Sequence, residues 1–154
     1  MDDGANPIAP AEGGPLRIEA TTGITGYRLR RAQLAVFQRF LAVFDSVTLR
    51  PAEYSVLVLI ADNPGRKQTE IAEVLGIKRA NFVTLVHGLE NRDLVERLPL
   101  ASDRRANALH LTQTGAAFLA RIRLMHEGME EDVVRRLGGP DARDQLFALL
   151  DRLT

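Results

Sequence analysis

The residues of this chain whose types and spacing could do chemistry are cations placed to grip a polyanion. Lys67, Lys78 and Arg79 flank and enter one compact stretch, Thr69 to Leu94, and an adjacent guanidinium pair, Arg104-Arg105, follows it. Acid–base or covalent chemistry has no comparable support in the sequence. No nucleophile is paired with a base, no phosphate-cradling loop is present, and the glycine-rich stretches fall in the N-terminal tail and at helix ends. His87, His110 and His126 are scattered and lack metal-ligand spacing. The expectation is a protein that binds rather than catalyses, without metal or cofactor.

The elements that must position these cations can be read from periodicity. In Thr69 to Leu94, the residues Ile71, Ala72, Val74 and Leu75 give a first short helix an apolar face. Gly76 can take φ > 0 and stop it. After Ile77 a second helix carries Phe82, Leu85, Val86 and Leu89, an i, i+3, i+4, i+7 stripe. Two short helices joined by a glycine-containing turn form the helix-turn-helix, whose second helix enters the DNA major groove. The competing reading is an ordinary helical hairpin in an all-α core. Downstream the period changes to two. Leu94–Leu98 and Ala106–Thr112 alternate as strands do, and Pro99–Arg105 between them reads as a loop. A strand, a basic loop and a strand directly after a helix-turn-helix make a wing, whose tip arginines can enter the narrow minor groove. A solvated hairpin tip is the alternative for Arg104 and Arg105. Asp103 beside them reads as structural, bonding turn backbone or orienting an arginine.

Composition sets the bounds. At 154 residues the chain is one domain's worth. It has no cysteine, which excludes disulfides, thiol redox sensing and thiolate-bound zinc. No apolar run of about 18 residues and no signal pattern appears, so no membrane role and a cytoplasmic location are expected. Formal net charge is zero, with 20 Lys and Arg against 20 Asp and Glu. The distribution is uneven: Arg66 to Arg105 holds eight bases and six acids, whereas the first sixteen residues hold Asp2, Asp3 and Glu12 and no base.

The flanks complete the frame. Residues 1–17, rich in Pro, Gly and Ala, read as a disordered tail. A helix starting between Thr21 and Ile24 and running to about Asp45 carries Tyr27, Leu34, Phe37, Leu41 and Phe44, widened by Val36, Phe40 and Val47. A helix apolar over so much of its circumference must be covered on more than one side, which suggests a partner subunit; a central core helix of a monomer is the alternative. Pro51 fits the first position of a short apolar helix that Asp62-Asn63-Pro64-Gly65 ends. A short edge strand over Arg66 to Gln68 can follow, with Thr69 as N-cap of the next helix. Thr112 or Thr114 caps a long helix to about Leu137, and Asp141 to Leu153 forms a last amphipathic one. Paired across a two-fold axis, the terminal helices would bury one another.

In this order the elements resemble the MarR family (multiple antibiotic resistance regulators). The matching strings are Pro51-Ala52-Glu53-Tyr54-Ser55-Val56-Leu57, Asn63-Pro64-Gly65, Glu70-Ile71-Ala72-Glu73-Val74-Leu75-Gly76-Ile77, Leu85-Val86, Leu89-Glu90, Leu94-Val95-Glu96-Arg97, Asp103-Arg104-Arg105-Ala106, and Leu111-Thr112 with Gly115. Each piece is common, and the ordered set, covering Gly26 to Leu153, is specific. The resemblance implies a mainly α fold with a small β-hairpin wing: a winged helix-turn-helix over 50–112, flanked by dimerisation helices over 20–47 and 114–153, in a single domain over 18–154. It implies a homodimeric regulator, mostly a repressor, on double-stranded DNA, in many members released by a small aromatic or acidic ligand.

Carried over residue by residue, the family's Asp-x-Arg wing motif falls on Asp103 and Arg105, which makes Arg105 the minor-groove finger. The recognition-helix readers fall on Arg79, Ala80, Asn81, Val83 and Thr84. Here the chain departs: many relatives have hydroxyl residues near 80, 81 and 83 and an arginine at 84. Asn81 could pair with adenine, and Thr84 could touch a thymine methyl or a phosphate. The operator should therefore differ from the family's usual one, and a winged-helix module that binds protein, with weak or no DNA binding, is the alternative function. Lys67, Lys78, Arg79 and Arg92 are candidate phosphate contacts. His87, one turn past Thr84, can contact phosphate or be plainly exposed. An effector, aromatic or anionic, would be lined by Phe37, Phe40, Phe44 and Tyr54, with Arg30, Arg31 or Arg50 for an anionic group; the alternative is that these aromatics are core and the arginines solvated.

Overall fold

A computed structural model describes residues 17–100 and 103–153, with backbone alone at 103–106. The expected N-terminal tail therefore lies, but for Arg17, outside the described residues. The chain divides into two units, Met1–Leu34 and Ala35–Thr154. The first holds a short helix α1 (Glu19–Thr22) and the beginning of α2 (Thr25–Phe44). Here the Thr21 hydroxyl donates to the Ile18 carbonyl at 2.7 Å, and Arg28 Nε donates to the Thr22 carbonyl at 2.6 Å.

In the second unit α2 ends in a 3-10 turn, Asp45–Val47, and Thr48 adopts a left-handed conformation at φ 49°. Helix α3 (Pro51–Asp62) starts where Pro51 places it, because a missing N–H costs nothing in the first turn. The Glu53 carboxylate accepts from the Arg50 backbone N–H at 2.8 Å, which satisfies one donor at that helix start. Val56, Leu57 and Ile60 of α3 are fully buried.

Helix α4 (Gln68–Val74) and α5 (Arg79–Asn91) form the helix-turn-helix. Gly76 takes φ +63° between them, and the Ile77 N–H donates to the Ala72 carbonyl at 2.9 Å while the Gly76 N–H donates to the Glu73 carbonyl at 3.0 Å. This pair of bonds closes the orphan carbonyls of α4 and sets the turn angle. A Cβ at Gly76 would meet nothing within 4 Å, so only the left-handed backbone resists a side chain. Gly76→Ala should therefore cost only about 1 kcal/mol in a urea titration; a loss several times larger would mean the turn is held by packing instead.

The expected N-cap at Thr69 is displaced. Helix α4 begins at Gln68, one residue before Thr69, and the cap is Lys67, whose N–H donates to the Glu70 carboxylate at 2.7 Å. The acid three residues on supplies the cap that Thr69 would have supplied. The expected edge strand over Arg66 to Gln68 shrinks to a single bridge, Lys67 to Ala108, with bonds from Gly65 N–H to Leu109 O and Leu109 N–H to Arg66 O.

Strands β1 (Val95–Leu100) and β2 (Asp103–Leu111) pair antiparallel, with Val95 opposite Leu111 and Arg97 opposite Leu109. The ladder runs further than the expected strands, so the backbone of Asp103, Arg104 and Arg105 belongs to β2 rather than to a loop. Pro99 pairs with Asn107 and the next residue, Leu100, with Asp103, so residues 104–106 have no β1 partner. Pro99 has no N–H to continue the ladder, which is where irregular pairing is expected.

Helix α6 (Gln113–Leu137) is capped by Thr112, whose hydroxyl accepts from the Gly115 N–H at 2.9 Å. Helix α7 (Pro140–Leu150) follows the Gly138-Gly139 break. The core gathers Phe40 and Phe44 of α2, the α3 residues above, Phe82, Val86 and Leu89 of α5, Leu109 of β2, and Leu119 and Ile122 of α6.

One ion cluster ties α2 to α6. Asp132 accepts from Arg39 at 2.8 Å, from Arg136 at 2.8 Å and from Arg135 at 3.1 Å. The Arg136 hydrogen bond, with the three positive charges, holds its carboxyl below the usual range against a smaller effect of desolvation. A depressed folded-state value stabilises above the unfolded carboxylate range and is lost as pH falls through the folded value. The stability gap between wild type and Asp132→Asn should therefore be present at neutral pH and vanish in acid; an unchanged gap in acid would refute the linkage.

Candidate nucleic-acid interface

Helix α5 owes its two faces to its period. Phe82, Val86 and Leu89 are completely buried, and Arg79, Ala80, Asn81, Val83, Thr84 and His87 lie outward on the exposed face. The apolar stripe anchors the helix in the core, so the opposite face must point away from it. Lys78 is the exposed N-cap residue and Arg79 the first helical residue. Positive charge is thus concentrated at the start of the helix, the end whose free N–H groups also favour phosphate. Lys67, at the start of α4, is exposed as well. Among the described residues no carboxylate lies within ion-pairing distance of Lys67, Lys78 or Arg79.

Asn81 and Thr84 share a surface groove with Arg50, Glu53, Gly88 and Arg92. The Thr84 hydroxyl donates to the Ala80 carbonyl at 3.2 Å. His87 faces solvent, with Nδ1 3.9 Å from the Glu90 carboxylate. The side chains of Asp103, Arg104 and Arg105 lie outside the described residues; their backbone opens β2.

Two arginines hold the recognition helix in place. Arg92, a candidate phosphate contact in the sequence, is also engaged within the protein. Its guanidinium donates to the carbonyls of Thr48 at 3.3 Å and Val47 at 3.2 Å, lies 3.7 Å from the Glu53 carboxylate, and stands 5.5 Å over the Phe118 ring. It joins the end of α5 to the turn before α3 and to α6. Arg97 of β1 pairs with Glu90 of α5 and donates Nε to the Gln68 side chain of α4 at 3.1 Å. The wing is thereby pinned to both helices of the pair. Sequence spacing gave no sign of either brace, since Arg92 and Val47 are 45 residues apart and Arg97 and Gln68 are 29 apart.

The residues expected to line an effector site divide. Phe40 and Phe44 are buried and stack at 4.1 Å between ring centroids, and the half-buried Tyr54 lies 6.0 Å from both. Phe37 is exposed and Arg31, in the first unit, is exposed too. His126 joins the cluster unexpectedly: its ring stacks on Tyr54 at 4.4 Å and 12°. Its position one turn after Ile122, on the flank of the α6 stripe, was the available signal. Burial pushes the Tyr54 hydroxyl up, opposed by Arg123 and assisted by Glu127 and Asp62. A groove between α6 and α7, with His126, Glu130 and Arg143 on its walls, opens beside this cluster.

Comparison with known proteins agrees with this architecture. The MarR family model matches residues 47–106, which hold α3, the helix-turn-helix, β1 and the start of β2. A putative transcriptional regulatory protein for the hcr operon of Thauera aromatica is 35% identical over 132 residues, covering 85% of this chain and 79% of that protein. The transcriptional repressor CouR bound to a 23-mer DNA duplex is 44% identical, with a TM-score of 0.85, over 91% of this chain and 99% of that one. CouR bound to p-coumaroyl-CoA is 42% identical, with a TM-score of 0.81, over 90% of this chain and 97% of that one. This chain, with its buried recognition-helix stripe and paired wing strands, belongs to the MarR family of winged helix-turn-helix transcription regulators.

Proposed function

We propose that the chain is a homodimeric repressor that binds an inverted-repeat operator and leaves it when a small aromatic effector binds. The observation that carries the proposal is the recognition helix: its buried stripe fixes which face is presented, and that face begins with Lys78 and Arg79 unengaged by any described carboxylate. In this reading residues 50–112 form the DNA-binding module. Asn81 and Thr84 read bases, while Lys67, Lys78, Arg79 and His87 contact phosphate. Arg105, with Arg104 beside it and Asp103 orienting, enters the minor groove. The role is binding rather than catalysis, exercised on DNA in the cytoplasm.

Dimerisation is supported by apolar side chains left exposed on the terminal helices: Val36, Phe37 and Leu41 on α2, and Leu124, Leu137, Phe147 and Leu149 on α6 and α7. A two-fold pairing would bury them and place two recognition helices about 34 Å apart, one turn of DNA. The effector reading rests on the Phe40, Phe44, Tyr54 and His126 rings and on CouR, a neighbour at 42% identity that binds p-coumaroyl-CoA. An aromatic acid or its CoA thioester is the class we propose. Such a ligand would act by favouring one spacing of the recognition helices over another.

The test is selection of genomic fragments by the purified protein at two salt concentrations. Recovery of one inverted repeat, with affinity falling steeply as salt rises, is the expected result. Recovery of nothing above background at low salt would overturn the reading. Titrating the recovered duplex with p-coumaroyl-CoA and simpler aromatic acids then tests release.

A further inference from the structure

We propose that this chain reads its operator half-site mainly through thymine methyl groups, using Ala80, Val83 and Thr84. The inference rests on the proposed function and specifies what the recognition helix recognises.

Residues 80, 83 and 84 are spaced i, i+3, i+4, so they form one patch on the outward face of α5. All three are exposed, and Val83 is 42% exposed on a helix whose other aliphatic side chains are largely withdrawn. An isolated exposed valine is ordinary on a protein surface. Here it stands next to an exposed alanine and a threonine whose hydroxyl proton is already used. The Thr84 hydroxyl has one proton and donates it to the Ala80 carbonyl at 3.2 Å. It cannot give that proton to a base or a phosphate without breaking this bond. With that proton held on its own helix, the Thr84 side chain offers a base its γ-methyl and the remaining lone pairs of its oxygen, but no donor. The patch therefore carries three aliphatic groups and no free side-chain donor, with Lys78 and Arg79 at the start of the helix.

In the major groove the apolar feature of a base pair is the thymine C5-methyl, and Ala, Thr and similar side chains recognise it by contact. An aliphatic patch set against G·C pairs would leave their donors and acceptors unpaired in a dehydrated interface, at a cost. Asn81, exposed beside the patch, can pair with the adenine of the same A·T pairs. The arrangement thus favours thymine-bearing half-sites through methyl contact rather than through arginine–guanine pairs in the middle of the helix.

The experiment begins with duplexes recovered by the full chain from a random library. Each half-site thymidine is then replaced, one position at a time, by deoxyuridine. Deoxyuridine pairs with adenine as thymidine does and lacks only the C5-methyl. Removing one buried methyl should weaken wild-type binding roughly fourfold at each position the patch reads. Thr84→Ser keeps the hydroxyl and removes the γ-methyl; Val83→Ala removes two methyls. Each variant should bind thymidine and deoxyuridine copies alike at the position its residue reads, while other positions keep their sensitivity. A merely structural effect of either substitution would weaken both copies equally and overturn the assignment of that residue. Tight binding of recovered duplexes with no loss at any deoxyuridine would overturn this inference and leave the proposed function standing. Recovery of no duplex at low salt would overturn both.

Discussion

Gly115→Ala should destabilise the protein by about 3 kcal/mol or more, a large part of the stability of a domain this size. The reason is distance. A Cβ at Gly115 would sit 1.9 Å from the Leu94 carbonyl oxygen, 2.7 Å from its carbon and 3.0 Å from its Cα. These are backbone atoms, so no rotamer change relieves the clash. The first turn of α6 or the chain at Asp93–Leu94 must move. Both are fastened to each other: the Thr112 hydroxyl donates to the Asp93 carbonyl at 2.6 Å, the Thr114 hydroxyl to the Asp93 carboxylate at 2.7 Å, and the Thr112 N–H to the Leu94 carbonyl at 3.3 Å. Asp93 itself holds φ +55° to end α5. Separation would break the contacts that join recognition helix, wing and long helix. Urea or thermal denaturation reads the effect directly, and a midpoint close to wild type would mean that α6 is not packed flat on this bend. The contrast with Gly76, where a Cβ meets nothing, separates the two uses of glycine here: one is needed for its backbone angle and the other for its missing side chain.

Arg105→Ala should lower operator affinity by roughly ten- to a hundredfold, as expected for loss of one groove contact worth about 1–3 kcal/mol. The denaturation midpoint and the oligomeric state should stay at wild-type values, as a side chain that acts on DNA alone requires. The minor groove concentrates negative potential, most strongly in narrow A·T-rich tracts, and an arginine inserted there gains more than one in open solvent. Arg105→Lys should recover only part of the loss, since the ammonium is more strongly hydrated and lacks the planar fork. Binding measured by fluorescence anisotropy at one fixed salt concentration decides the point. Affinity unchanged in Arg105→Ala would leave the wing without a role in recognition.

Much of the fold was legible in advance because its signals are local. The stripe Phe82, Leu85, Val86, Leu89 predicted α5 and its inward face. Pro51 predicted the start of α3, and Gly76 the turn of the helix pair. Thr112, one of the two hydroxyl residues at that boundary, caps α6. Each of these depends on atoms within about one helical turn, so neighbours in sequence suffice to specify them. Where the local reading failed, a competing local group prevailed or the pairing ran on: Glu70 moved the cap of α4 from Thr69 to Lys67, and the β ladder extended to Leu100 and Asp103 where a long loop was expected.

What the sequence by itself determined is therefore the identity and period of the elements, the outward placement of Arg79, Asn81, Thr84 and His87, and the family resemblance carried by ordered short strings. What only the tertiary structure decided is which distant groups meet. Arg92, a candidate phosphate contact by its position in the sequence, bonds the carbonyls of Val47 and Thr48. His126 was one of three scattered histidines and instead stacks on Tyr54. Gly115 was one letter in a string and instead marks the closest approach of two backbones. Thr84, open in the sequence to a thymine methyl or a phosphate, donates its hydroxyl proton to its own helix. A helix period states which side of an element faces inward. The residue it faces depends on crossing angles and register between elements, and those are set by the packing of the whole core.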